Sequence, residues 1–133
     1  LGPSPSMEIT QARIDQFAEA TGDHQWIHVD PDMAAKGPFG ATIAHGYLTM
    51  SLAAKFMPEI IEVKGISMGV NYGTEKTRFP SPVRVGSKLS ATGTVLSVEE
   101  AKGGIKMVFQ IVIQAEGAEK PACIVESISV YFP

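Results

Sequence analysis

Ala44-His45-Gly46-Tyr47-Leu48-Thr49-Met50-Ser51-Leu52-Ala53-Ala54-Lys55-Phe56-Met57-Pro58 is the run that decides how this chain folds. Continued to Ile61, it reads as one helix with apolar or small residues on nearly every side. Helices of that kind are normally buried. Lys55, Pro58 and Glu59 break its apolar character and leave it too short to cross a bilayer. Another part of the chain must therefore wrap around it.

The second half supplies the wrapping. Lys88–Val98, Gly104–Glu116 and Ala122–Phe132 alternate apolar and polar residues with a period of two, as half-buried strands do. In the second of these, Ile105, Met107, Phe109, Ile111 and Ile113 point one way, and Lys106, Gln110 and Gln114 the other. Gly65–Phe79 reads as a further long strand, interrupted by glycine and ended by Pro80-Ser81-Pro82. Turns are expected at Glu99–Gly103 and Gly117–Pro121. Connections that short require antiparallel pairing. Gly69, Gly73 and Gly93 lie in strands and mark bulges or bends rather than a phosphate loop. One buried helix against a curved antiparallel sheet is an α+β layer architecture.

The first half is helical. Thr10 is placed to cap a helix over Gln11–Thr21, with Ile14, Phe17 and Ala18 as its apolar stripe and Gly22 as its left-handed terminator. Asp30-Pro31 opens a short helical turn through Ala35. Between them, residues 23–28 are expected to form a tight connection that leads into extended chain. No linker separates the halves, so residues 1–133 are read as a single domain.

Composition narrows the function. With 44% hydrophobic and 19% charged residues, the sequence is neither disordered nor fibrous. A net charge of −3 without a basic run argues against nucleic acid or an anionic membrane as partner. The first residues lack the layout of a signal peptide, and a cytoplasmic location is expected. Because position 1 is Leu, Leu1–Ser6 reads as the tail of a preceding segment. The single cysteine, Cys123, excludes an internal disulfide and leaves cysteine-rich metal sites unsupported. Flanked by Ala122 and Ile124, it reads as a small hydrophobe.

Chemistry concentrates around the three histidines, His24, His28 and His45. Asp23 and His28 lie five apart, directly after a helix-ending glycine. A carboxylate beside an imidazole can orient it or share in proton transfer at working pH. The competing reading has Asp23 capping the following backbone and His28 as a satisfied, half-buried side chain. His45-Gly46 falls at the first turn of the apolar helix, where amide N–H groups lack intrahelical partners and carry partial positive charge. A glycine there lets a carbonyl approach closely, which is the geometry of an oxyanion hole. The competing reading is a glycine kept for helix packing. No second ligand at helical spacing accompanies His45, so no metal is expected. Ser51 lacks the Gly-x-Ser-x-Gly turn of a serine hydrolase and should bond to a carbonyl one turn back. Trp26 reads as a packing anchor, and Lys76 and Arg78 as a solvated strand face.

Taken together, Thr21-Gly22-Asp23-x-x-x-Ile27-His28, Ala44-His45-Gly46-Tyr47-Leu48 with Ser51-Leu52, and Phe79-x-x-Pro82-Val83-x-x-Gly86-x-x-Leu89 resemble the MaoC-like dehydratase family, which includes the (R)-specific enoyl-CoA hydratases. The resemblance runs from about Ile9 to Tyr131. It implies a hot-dog fold, with the central helix wrapped by the sheet, and a homodimer. It implies that Asp23 and His28 hold the reactive water, that Gly46, with His45 beside it, binds the thioester oxygen, and that no cofactor is required. The implied substrates are trans-2-enoyl thioesters of coenzyme A or acyl carrier protein, hydrated to (R)-3-hydroxyacyl thioesters. Many members carry Asn-Pro where this chain has Gln25-Trp26, a version that resembles a NodN-like subgroup. A Gln amide could hold the loop as Asn does. Relatives carry a further site serine in the helix where this chain has Ala53-Ala54, so no such role is assigned. Two other readings stand beside the hydratase: a non-catalytic acyl-thioester-binding or regulatory subunit, and a hot-dog thioesterase. The thioesterase is disfavoured because the helix body carries no acid before Glu59.

Overall fold

The computed structural model describes residues 1–133. Strand β1 (Met7–Glu8) is followed by helices α1 (Gln11–Thr21), α2 (Trp26–Val29), α3 (Pro31–Ala35), α4 (Gly46–Ser51) and α5 (Ala53–Ile60). Strands β2 (Met68–Arg78), β3 (Lys88–Ala101), β4 (Gly104–Ala115) and β5 (Cys123–Phe132) complete the chain. They form one five-stranded sheet in the order β1-β3-β4-β5-β2, antiparallel at every step. No helix is long and apolar enough to cross a membrane.

Local sequence chemistry accounts for the helix ends. The Thr10 hydroxyl accepts from the Arg13 N–H at 3.1 Å, and Gly22 closes α1 at φ +83°, a conformation that side chains rarely adopt. Asp30 caps α3 through Met33 N–H, also at 3.1 Å, with Pro31 in the first helical position. One expectation fails here. Residues 26–29 form a helical turn rather than extended chain, because the His28 and Val29 N–H groups return to the Gln25 carbonyl.

The core lies between α4–α5 and the inner faces of β3, β4 and β5. Leu48, Leu52 and Phe56 from the helices meet Leu89, Ala91, Met107, Phe109, Ile111, Ile113 and Val125 from the strands. Burying each large side chain of this kind is worth roughly 1.5–3 kcal/mol. Ile105, expected inward with its neighbours, is 46% exposed and borders an open cavity shared with Val63, Val98 and Tyr131. Cys123 is fully buried, and burial pushes its thiol up to about 11.

The helix is not wrapped on all sides. It is almost continuous, with Leu52 between its two parts still helical at φ −67° and ψ −12°. Tyr47, Ser51, Ala54, Lys55 and Pro58 nevertheless remain exposed. Between this strip and β2 runs an open groove of about 480 Å³, lined in part by Met50, Ala54, Met57, Val70 and Asn71. A single curled sheet covers one face of a cylinder, and the other face keeps whatever the chain does not reach. β2 pairs only with β5 and is exposed along nearly its whole length, with register shifts near Gly73 and before Thr77.

Gly93 shows how closely the sheet approaches its own core. A Cβ there would lie 2.4 Å from the ring of Phe109, which is itself fully buried and has nowhere to move. Gly93→Ala should therefore cost about 1–3 kcal/mol by overpacking. Thermal unfolding should show a loss of several degrees. An unchanged midpoint would mean that β3 can shift away from Phe109.

Candidate active site

The site is assembled where three chain crossings meet. The end of α1 delivers Asp23, the turn α2 delivers His28, and residues 42–44 deliver His45 and the start of α4. That last segment is pinned on both sides: Ala44 N–H bonds to the Val83 carbonyl at 2.8 Å and Val85 N–H to Thr42 at 2.9 Å. Ile43 N–H bonds to the Ile27 carbonyl at 3.0 Å, which ties the helix lead-in directly to α2.

Hydrogen bonding fixes the state of both buried rings. His28 Nδ1 lies 2.7 Å from the Ile43 carbonyl. A carbonyl only accepts, so the proton is on Nδ1 and the lone pair of the neutral ring is on Nε2. His45 has the opposite tautomer, since its Nε2 donates to the Asp23 carbonyl at 3.0 Å. Its Nδ1 is buried without a partner. The two rings stack with centroids 3.9 Å apart and planes inclined by 23°, and Phe17 closes the other side of His45 at 4.9 Å.

Asp23 is exposed, at the open side of this cluster. Its N–H bonds to the Thr21 hydroxyl, and one carboxylate oxygen accepts from Gln25 N–H at 3.3 Å. The capping reading is thus realised, through a long bond that leaves carboxylate acceptor capacity unused. Asp23, His28 and His45 each present a polar atom within 4.8 Å of the others, yet no hydrogen bond joins the Asp23 and His28 side chains. That span is one a single water can bridge with two bonds of about 2.8 Å each.

The same three residues are a poor chelate. A ring N–H bonded to a backbone carbonyl is common to metal-ligating histidines and does not decide the matter, but the two rings stack face to face, inclined by only 23°, rather than converging edge-on about a common point. A zinc ion needs donors converging at about 2.0–2.2 Å. The arrangement suits proton transfer instead. His28 lies below its ordinary value of 6.5, chiefly because burial penalises the charged ring. The bond to Ile43 works the other way, His45 lowers it further, and Asp23 raises it. A second positive charge is costly in such a place, since two unit charges 4 Å apart repel by roughly 4 kcal/mol at an effective dielectric near 20.

Gly46 begins α4, and no backbone carbonyl accepts its N–H. It borders a cavity of about 310 Å³ shared with Phe39, Ile43, Phe79 and Pro82. The Phe79 ring would touch a Cβ at this position at 3.4 Å. The packing and carbonyl-approach readings of Gly46 are therefore compatible. Ser51 donates to the Leu48 carbonyl at 2.7 Å, the expected back-bond. His24 is exposed beside Glu19, 3.6 Å away, and stands outside the cluster.

Two residues of the site have no signal in the sequence. The Gln11 side chain donates to the His28 carbonyl at 2.8 Å and accepts from the Thr42 hydroxyl at 2.5 Å. It clamps α2 to the segment that orients His28. Only the long-range fold brings residues 11, 28 and 42 together. Gln25, expected to hold the loop through its amide, makes no side-chain hydrogen bond; the Trp26 ring packs on Gly37 instead.

A helix half-wrapped by a curled antiparallel sheet is a hot-dog fold, and the relatives that share it with this chain are hydro-lyases. The chain belongs to the family described as MaoC like domain, whose model matches residues 1–116. Over 98% of its length it is 47% identical to 3-hydroxyacyl-thioester dehydratase Z of Mycobacterium tuberculosis, spanning 87% of that protein. It is 41% identical to nodulation protein N of Rhizobium leguminosarum, over 98% of this chain and 83% of that one. The (R)-hydratase of A. caviae involved in PHA biosynthesis superposes with a TM-score of 0.79 at 26% identity, covering 100% of this chain and 98% of the other.

The lowered value of His28 has a stability consequence with a definite sign. Between that value and 6.5 the unfolded chain binds a proton that the folded chain refuses. The contribution of His28 is therefore fully favourable above pH 6.5 and is lost as pH falls through the folded value. Denaturant unfolding of the wild type should weaken from pH 7 to pH 5 more steeply than that of His28→Gln. Parallel profiles would show that His28 is not held neutral by the fold.

Proposed function

We propose that the protein catalyses (R)-specific hydration of trans-2-enoyl-CoA thioesters to (R)-3-hydroxyacyl-CoA, and the reverse dehydration. The observation that carries this reading is the tautomer of His28, whose Nε2 lone pair is free on the side shared with the Asp23 carboxylate. Similarity to the dehydratase and the (R)-hydratase supports the reaction class.

Conjugate addition of water requires two proton movements and one charge to be stabilised. As oxygen bonds to Cβ, negative charge gathers on the thioester oxygen, where the unpartnered Gly46 N–H is the donor. Removing one such donor typically costs on the order of 3 kcal/mol. Water gives up a proton while Cα gains one on the same face. Asp23 and His28 hold the water between them as acceptors; the group that takes a proton from it as oxygen bonds to Cβ delivers that same proton to Cα and returns to its starting state. The groove beside the exposed strip of α4–α5, with Met50, Ala54, Met57 and Val70 among its walls, offers a partly apolar bed for an acyl chain. The pair titrates as a unit, so the base is not assigned to either residue alone.

The long, exposed β2 edge is the natural seam for a second copy. An edge of that length presents unpaired backbone groups that proteins generally cover. Pairing two β2 strands would join the sheets and narrow the groove along the helix. The alternative of a non-catalytic acyl-thioester-binding subunit has one observation in its favour, the similarity to nodulation protein N. Intact Asp23 and His28 geometry favours the enzyme.

Purified protein should bleach the enoyl-thioester absorbance of crotonyl- or octenoyl-CoA without releasing free thiol. Asp23→Asn and His28→Gln should each lower turnover at least a hundredfold while circular dichroism stays native, within the usual range for lost acid/base groups. Near-normal turnover in either variant would remove that residue from the mechanism. Acyl-CoA binding without turnover would select the binding subunit, and thiol release a thioesterase. Light scattering at micromolar concentration should give the mass of a dimer, and a monomer would reject the β2 seam.

A further inference from the structure

The reading above gives His45 no work of its own beyond its place beside Gly46, yet its side chain is closely held. It is 2% exposed, sandwiched between His28 and Phe17, and bonded to the backbone of Asp23 rather than to anything of its own helix. We infer that His45 is the positioning residue of the Asp23–His28 pair: its Nε2–H holds Asp23 in place, and its ring, stacked on His28, lets the two imidazoles carry at most one proton between them. The inference rests on the hydratase reading only for its kinetic arm.

Two features support it. Opposite tautomers place one N–H on each ring in a bond to a carbonyl, so neither ring can flip without breaking a hydrogen bond, buried at His28 and partly buried at His45. The unpartnered Nδ1 of His45 and the free Nε2 of His28 are the only places where the stacked pair can accept a proton. Protonating either one raises the cost of protonating the other across 3.9 Å. Few other charges intrude. Asp23 approaches from the α1–α2 connection. α1 contributes neutral Phe17 and Gln11, and the Asp15 carboxylate is engaged by the Gln11 amide at 2.9 Å. The Asp30 carboxylate caps Met33. Asp23, whose carboxylate takes one long bond from Gln25 N–H, is the carboxylate that lies within 4.8 Å of both rings, and one proton on the pair satisfies it.

The test is nitrogen-15 NMR of histidine-labelled protein, in which exposed His24 serves as an internal reference. In the wild type, His28 should appear as the Nδ1–H tautomer and His45 as the Nε2–H tautomer. From pH 8 to pH 5 the two together should take up one proton. In His45→Gln, which keeps a donor for the Asp23 carbonyl but no charge, the His28 midpoint should rise. The acid limb of kcat/KM should move up by the same amount, with kcat affected more than KM. In His45→Phe, which keeps the ring but loses the donor, kcat should fall further than in the Gln variant. Two independent protons on the wild-type pair, or an unchanged His28 midpoint in His45→Gln, would overturn the inference. If the variants fail to fold, the wild-type titration alone decides. If the spectra fit but no enoyl thioester is turned over, the pairing stands and the hydratase reading falls.

Discussion

Burial of one face of the central helix against β3, β4 and β5 is the constraint from which the rest of the structure follows. Leu48, Leu52 and Phe56 must leave water, and a sheet of this width reaches them only by curling. Curling fixes where the helix starts and which strip of it stays bare. It also leaves β2 at the far edge, standing off from the helix and exposed on both faces. The groove and the exposed β2 edge thus have the same cause as the core.

The site lies at the rim of that arrangement, where core and solvent meet within a few ångströms. His28 and His45 are on the buried side and Asp23 on the exposed side. A fully buried carboxylate would resist ionisation, and a fully exposed imidazole would be half protonated near neutrality. Placing them across the boundary keeps the carboxylate solvated and the imidazole neutral. The fold makes this placement with backbone carbonyls, those of Ile43 and Asp23, rather than with further charges. Carbonyls orient a ring without adding a charge that must itself be compensated.

Much of this was legible in the sequence because it is encoded locally. Thr10, Gly22, Asp30 and Pro31 set helix ends within a few residues of themselves, and the alternation in β4 and β5 needs only period two. The apolar run beginning at Ala44 required a cover, although not that the cover would be one-sided. What escaped was encoded at long range. The helical turn at residues 26–29 closes on the Gln25 carbonyl but is tethered by Ile43 N–H to Ile27, and the Gln11 clamp joins residues 31 apart. The stacking of His28 on His45 is likewise a product of two segments meeting. Sequence pattern brought the histidines to notice, while only their packing distinguished the ring that faces Asp23 from the ring that supports it.

That distinction bears on the departure at Gln25-Trp26. If the loop amide held the dyad, a change from Asn-Pro would alter its geometry. In this chain the Asp23 backbone is held by Thr21 and His45, and its carboxylate by the backbone N–H of Gln25. His28 is held by Ile43 and Gln11. Neither set uses the side chain of residue 25 or 26. Trp26 faces away, onto Gly37, where a Cβ would sit 3.1 Å from its ring. The substitution therefore rebuilds the outside of the turn and leaves the groups inside it in register. A chain selected only to bind acyl thioesters would have no need of buried bonds that fix two imidazoles in opposite tautomers.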